Sequence, residues 1–250
     1  MDETNLVAYR RSAIEEARTQ DLLRILPRNR RTVLDVGARD GHFSRLLADY
    51  FPEVTALDLE RPTFEIERVV TVAGDVTRLN FEDEAFDCVF CAEVLEHIPN
   101  VVQACAELMR VAKYEVVIGV PFKQDIREGR TTCRSCGKVS PPWGHLHSFS
   151  EESLLALFPG MHLVSRSFVG STRGTTSALA TFLMDVAGNP WGTYHQEERC
   201  VHCGVRIVAP GRRPLWQRAC SLVALRLNSL QTLFAPAHAQ WIHVVLARVA

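Results

Sequence analysis

The 250-residue chain is 47% hydrophobic and 23% charged, with a formal net charge of −1, a balance that allows a full buried core and excludes a disordered charged tail. The N-terminal MDETNLVAYRRSAIEEAR has acids and arginines where a secretory peptide needs an apolar stretch. No uncharged run reaches the ~18 residues of a spanning helix, apart from an apolar C-terminal region interrupted by Arg226 and Pro236, so a soluble, cytoplasmic protein is expected.

Charge is unevenly distributed. Residues 1–120 hold 14 basic and 22 acidic side chains, whereas residues 121–250 hold 14 and 7. A basic C-terminal half fits an anionic acceptor or partner, or a solvated face.

In chain order, residues 6–26 read as a helix that Pro27 stops, placed to pack on a following sheet or to cover its ligand. VLDVGARDGHFSRLLADY, residues 33–50, then reads as strand, glycine turn and helix. Val33, Leu34 and Val36 form the strand, Gly37 and Gly41 bracket the turn, and Phe43, Leu46, Leu47 and Tyr50 recur at helical spacing. Such a turn lets backbone approach a ligand closely. Further strands are expected at Val54–Leu59, Val69–Ala73, Phe86–Cys91 and Val116–Val120, with a helix over Val101–Ala112 before the last. Strands alternating with helices define an α/β fold with a doubly wound, mostly parallel sheet.

Ligands of such sheets bind beyond the carboxyl ends of the strands. Reading those ends gives Asp35 and Gly37, then Asp58, Gly74 and Asp75, Glu93, and Val120–Phe122. Asp58 follows Gly41 by 17 residues, close to the ~20 at which an acid accepts from ribose hydroxyls in dinucleotide folds. A hydride-transfer enzyme is one reading of that spacing, although the turn lacks the complete G-x-G-x-x-G pattern.

Two Cys-x-x-Cys-Gly units follow, Cys133/Cys136 and Cys200/Cys203, with Cys200 64 positions after Cys136. Each turn aims two thiolates at one point, so together they predict a closed, structural four-cysteine zinc site. His145, His147, His195 or His202 could each replace one cysteine. Cys88 and Cys91 share the spacing but lie on a strand, where residues three apart face opposite sides of the sheet; with Cys105 and Cys220 they are expected in the core.

The segment GDVTRLNFEDEAFDCVFCAEVLEHIPN, residues 74–100, together with VLDVGARDG at 33–41, resembles the class I S-adenosylmethionine-dependent methyltransferases, the seven-stranded Rossmann-like group. The resemblance covers roughly residues 30–122, and GHLHSFSEESLLALF at 144–158 resembles the stretch that opens the family's last helix before strand six. It implies that Asp35, Gly37 and Gly41 line the amino-acid moiety of S-adenosylmethionine, that Asp58 binds the ribose hydroxyls, that Asp75 and Val76 hold the adenine, and that Glu93 closes the methionine side. One position departs from the pattern: many members have Gly where this chain has Arg39. That side chain could point away from the cofactor, reach an anionic acceptor or Asp40, or block the site in an inactive relative.

A sulfonium methyl is already activated, so the protein's task is alignment, exclusion of water and, for an oxygen acceptor, a general base. His145 and His147, between strand five and the helix starting near Ser150, and His97, after strand four, are the candidates; each could instead serve a purely local structural role.

In the last third, Met161–Val169 reads as strand six, Thr175–Ala187 as a helix or buried segment, and Trp241–Val249 as the seventh, terminal strand. Trp216, Cys220, Val223, Leu227, Leu230 and Phe234 form one stripe of a helix starting at Pro214, flanked by Arg212, Arg213, Arg218 and Arg226. The stripe is expected to pack into the core over the sheet; a dimer seam or peripheral membrane contact through 214–234 is the alternative.

The whole chain, 1–250, is thus expected to form a single methyltransferase domain. Residues 1–30 supply an N-terminal helix, 31–122 the cofactor-binding half, and 123–250 an acceptor half with zinc-binding insertions at about 130–147 and 195–207. The leading function is methylation of an oxygen on a small-molecule, glycan or lipid-linked acceptor. A zinc-containing RNA or protein methyltransferase is the second reading, disfavoured because basic residues interleaved with aromatics are lacking. A non-catalytic S-adenosylmethionine-binding module is the third.

Overall fold

The computed structural model describes residues 10, 12–194 and 199–248. The first residues of the expected N-terminal helix, His195 and Val249 lie outside that set. The chain divides into two units, one built from Ala13–Phe122, Phe149–Gly170 and residues 239–248, the other from Lys123–Ser148 and Ser171–His238.

The first unit is organised by β1 (Thr32–Val36), whose Val33, Leu34, Asp35 and Val36 are all buried. A strand covered on both faces needs this near-continuous apolar run. It pairs in parallel with β2 (Glu53–Asp58) on one side and β4 (Phe86–Ala92) on the other. β3 (Val69–Ala73) joins β2, and β5 (Ala112–Pro121) joins β4, both also in parallel. Beyond β5 the direction reverses. The last strand, Trp241–Arg248, inserts antiparallel between β5 and Met161–Val169. Numbering the short hairpin strands of the second unit β6 (Thr131–Thr132) and β7 (Val139–Ser140), these become β9 and β8, and the sheet order is β3-β2-β1-β4-β5-β9-β8. The fold is therefore the expected doubly wound, seven-stranded, mostly parallel α/β sheet.

Alternation along β1 sends Leu34 and Val36 to one face and Val33 to the other. The first face is covered by α3 (Val101–Val111) through Ala104, Cys105 and Leu108, and by Leu154 of α4 (Glu151–Leu155). The second is covered by Leu22 of α1 (Ala13–Ile25) and Leu47 of α2 (His42–Leu47). Cys91 and Cys88 fall into these two opposite clusters, as their spacing on a strand requires. Asn100 caps α3, accepting a hydrogen bond from the Gln103 N–H, and Ser150 caps α4 in a capping box with Ser153. Asp21 ties α1 to the sheet by accepting from the Ser167 hydroxyl and, at 2.7 Å, pairing with Nδ1 of the fully buried His243.

In the second unit, α5 (Ala178–Val186) packs on α6 (Leu215–Phe234). Here the structure overturns an expectation. Trp216, Val223, Leu230 and Phe234 of the predicted core stripe are exposed, Phe234 by 86%, and Cys220 is only partly buried. The residues of α6 that are buried are Ser221 and Ala224, because the helix docks by its polar face: Asn228 accepts from the Thr176 hydroxyl at 2.8 Å, and Gln231 donates to the Thr175 hydroxyl at 3.3 Å. Among the described residues, no helix is long and apolar enough to cross a membrane.

Leu108 is fully buried against the strands of the first face. Leu108→Ala is expected to cost about 2–5 kcal/mol through lost transfer energy and the cavity left behind, read as a lower midpoint in urea unfolding at unchanged slope.

Candidate active site and metal centre

The carboxyl ends of β1, β2, β3 and β4 form one edge, and the loop after β1 is its pivot. Gly37 and Gly41 adopt φ of +78° and +77°, and Arg39 between them +47°. A Cβ at Gly37 would overlap the Val94 side chain, and one at Gly41 would come within 2.7 Å of the Phe64 ring. Both glycines are thus required by close approach as well as by backbone conformation. Arg39 occupies the left-handed region that glycine tolerates best, yet its N–H donates to Asp58 Oδ2 at 2.8 Å. The substitution leaves the turn's backbone hydrogen bond in place.

Asp58 also accepts from the Leu59 N–H at 2.7 Å. Its carboxylate is therefore oriented by two backbone donors, with lone pairs left to accept from a vicinal diol. Asp35 is buried and accepts from the Ser44 hydroxyl at 2.5 Å, joining β1 to α2. Burial pushes its carboxyl up to about 7, against the Ser44 hydrogen bond and with a contribution from Asp58. Asp75, exposed beyond β3, accepts from the N–H of Thr77 at 2.8 Å and from its hydroxyl at 2.7 Å, which hold its carboxyl below the usual range. Val76 beside it is buried.

Glu93 directly follows β4, with φ of +58°. Burial raises its carboxyl, opposed by the Arg18 guanidinium, whose Nη1 lies 3.5 Å away. Arg18 is itself buried, paired with Glu15 and lying near the rings of Phe43 and Trp241. Glu96, three residues further on, is completely buried, and among the described residues neither carboxylate oxygen has a hydrogen-bond partner; burial first, then Glu93, pushes its pKa well above the carboxylate range.

This edge matches a nucleoside with a cationic tail better than a dinucleotide. A pyrophosphate needs backbone N–H groups and basic side chains, whereas the groups converging here are Asp35, Asp58, Asp75 and Glu93. Such acceptors suit ribose hydroxyls and an ammonium, the chemistry of S-adenosylmethionine.

Sequence reasoning did not find Arg18, Glu15 or Glu96. The Glu15–Arg18 pair at i, i+3 was the available signal, but on an isolated helix it reads as an exposed pair; only the packing of α1 on the sheet buries it. Phe64, in the irregular segment after β2, carries no pattern at all.

Of the proposed bases, His97 closes a short 3₁₀ turn, Leu95–His97, directly after β4. His145 and His147 belong to the other unit. The buried His145 places Nδ1 2.6 Å from Oε1 of Gln124. His147 is half-buried.

The four knuckle cysteines come together within the second unit, with all four sulfurs within 4.8 Å of one another. Sγ of Cys133 is 3.7 Å from that of Cys203, and Sγ of Cys136 is 3.7 Å from that of Cys200. A tetrahedron with zinc–sulfur bonds of ~2.3 Å has edges of about 3.8 Å, so the residues present fit the ion. The two turns repeat each other: the N–H of Cys133 donates to Lys138 O and that of Cys200 to Val205 O, and Gly137 and Gly204, at φ of +72° and +68°, donate back to Cys133 O and Cys200 O. Of the histidines considered as replacements, His202 instead contacts Val139 O at 3.0 Å.

Comparison with known proteins adds to this geometry. Residues 34–118 match the methyltransferase domain family. A demethylmenaquinone methyltransferase from Roseiflexus castenholzii is 32% identical over 89 residues, covering 32% of this chain and 37% of that protein. A ubiquinone biosynthesis O-methyltransferase from Proteus mirabilis is 31% identical over 91 residues, covering 31% and 37%. The chain thus spans little more than a third of the length of either relative. Over nearly its full length it shares its fold with an S-adenosylmethionine-dependent methyltransferase from Mesorhizobium loti, at a TM-score of 0.53 and 13% identity, covering 93% of this chain and 98% of that one.

Because Asp35 is protonated up to about pH 7 in the native state and only to ~3.9 when unfolded, folding takes up a proton between those values. Its contribution to stability is therefore full below pH 4 and lost as pH rises through 7. Subtracting the urea-unfolding profile of ligand-free Asp35→Asn, which keeps an acceptor for Ser44, from that of the natural chain is expected to reveal this fall. A flat difference between pH 4 and 7 would contradict it.

Proposed function

We propose that this chain is an S-adenosylmethionine-dependent methyltransferase that methylates a hydroxyl of a small-molecule, glycan or lipid-linked acceptor. The observation that carries the reading is the acidic strand edge around the left-handed Gly37–Gly41 turn, with Asp58 oriented by the Arg39 and Leu59 N–H groups. That one of the relatives is named for O-methylation supports an oxygen acceptor.

In this reading Asp58 accepts from the ribose hydroxyls, Asp75 and Val76 flank the adenine, and Asp35, Gly37, Gly41 and Glu93 hold the amino-acid portion. The cofactor supplies a methyl group already activated on a sulfonium. The chain then has to align the acceptor oxygen and take its proton. His145, whose Nδ1 is 2.6 Å from the Gln124 amide, His147 and His97 are the candidates for that task.

Two experiments test the reading. Labelled-methyl transfer from S-adenosylmethionine into a cell extract, followed by fractionation, is expected to place the label in small molecules, glycan or lipid rather than RNA or protein. His145→Ala with His147→Ala is expected to lower that transfer by about a hundredfold or more; undiminished transfer would remove both from the role of base.

Cys133, Cys136, Cys200 and Cys203 are proposed to hold a structural zinc ion, since four thiolates leave no coordination position open. Metal analysis of purified protein is expected to find about one zinc per chain. Cys200→Ser should lose most of it and lower the melting temperature, because zinc binding is coupled to folding.

A further inference from the structure

Helix α6 is turned inside out for a helix of a water-exposed unit. Its inner face is polar: besides the Asn228 and Gln231 contacts, Gln217 donates to Val186 O at 3.4 Å, and the Ser221 hydroxyl accepts from Arg213 at 3.3 Å. Its outer face carries Leu215, Trp216, Leu222, Leu230, Leu233 and Phe234, exposed by between 56% and 86%. On the adjoining α5, Leu179 and Phe182 are exposed by 58% and 62%. In water the hydrophobic effect favours the opposite orientation. Contiguous apolar surface of this kind marks a binding face.

Charge says what covers it. Residues 212–234 contain four arginines and no aspartate or glutamate. Arg212 is exposed just before α6, and Arg218 and Arg226 are exposed among the apolar residues of its outer face. A second copy meeting this face across a twofold axis would bring arginines against arginines with no acid from this segment to compensate. An anionic lipid surface complements the pattern. Leucine and phenylalanine enter the boundary of the acyl chains, tryptophan suits the headgroup level, and arginine reaches the phosphates while its stem stays apolar. The helix is not apolar enough to span, which leaves an orientation in the plane of the interface.

We propose that the outer face of α6, flanked by α5, docks this protein on an anionic lipid surface. The docking concerns binding alone and does not depend on the methyl-transfer reading. Its test is flotation of the full chain with vesicles of phosphatidylcholine, with or without phosphatidylglycerol. Binding is expected with phosphatidylglycerol, and it should be about tenfold weaker or more on phosphatidylcholine alone and at high salt. Leu222→Ser with Leu230→Ser and Phe234→Ser should reduce binding by at least about tenfold while the far-UV circular dichroism stays native, since all three are exposed. Arg218→Gln with Arg226→Gln should weaken binding and flatten its salt dependence. Brominated lipid should quench tryptophan fluorescence in the natural chain and less in Trp216→Phe, an independent reading if the triple variant misfolds. Failure to float with anionic vesicles would overturn the proposal. So would flotation indifferent to these substitutions, or a dimer in sedimentation velocity that the triple variant abolishes without any vesicle binding.

Discussion

The pairing of β1 with β2 on one side and β4 on the other is the constraint on which the candidate site depends. Because these strands run parallel, their carboxyl ends lie on one edge, and because the chain order reverses at β1, the loops leaving β1 and β4 part there. Gly37, Asp58 and Glu93, far apart in sequence, converge for that reason. The turn is then fixed from both sides. The Gly37 and Ala38 N–H groups donate to Leu57 O at 2.8 and 3.0 Å, and the Arg39 N–H donates to Asp58. What looks like a flexible glycine loop in the sequence is an extension of the sheet's hydrogen bonding.

The second unit solves a different problem. Around its knuckles the buried apolar cluster is small, with Cys133, Tyr194, Cys200 and Ile207 at its centre. So little apolar burial does not offset the cost of ordering the two hairpins. The four cysteine sulfurs come together at this cluster, and the Tyr194 hydroxyl, accepting from the Thr132 N–H at 3.0 Å, fastens the first hairpin beside them.

Helix α6 shows where periodicity stops being informative. The stripe from Trp216 to Phe234 is real, and the helix bounds agree with it, but periodicity specifies only that a face exists. Which way the face points depended on Thr175 accepting from Gln231 and Thr176 donating to Asn228, a pairing without local signature. The inner positions, small or polar at Ser221, Ala224 and Asn228, were the legible clue, since a close polar contact needs them.

The sequence by itself determined the order and type of the sheet's elements, the residues at its carboxyl edge and the paired cysteine knuckles. All of these rest on short-range rules: apolar runs, a glycine-bracketed turn, and two thiols per turn. Only the tertiary structure decided that Glu15 and Arg18 are buried beside Glu93, that Asp35 is sealed beneath the turn with a raised pKa, that the terminal strand slots between β5 and β8, and that α6 faces outward. Each depends on which surfaces meet across long sequence separations, and burial, the quantity that sets both pKa and docking preference, is a property of the assembled chain.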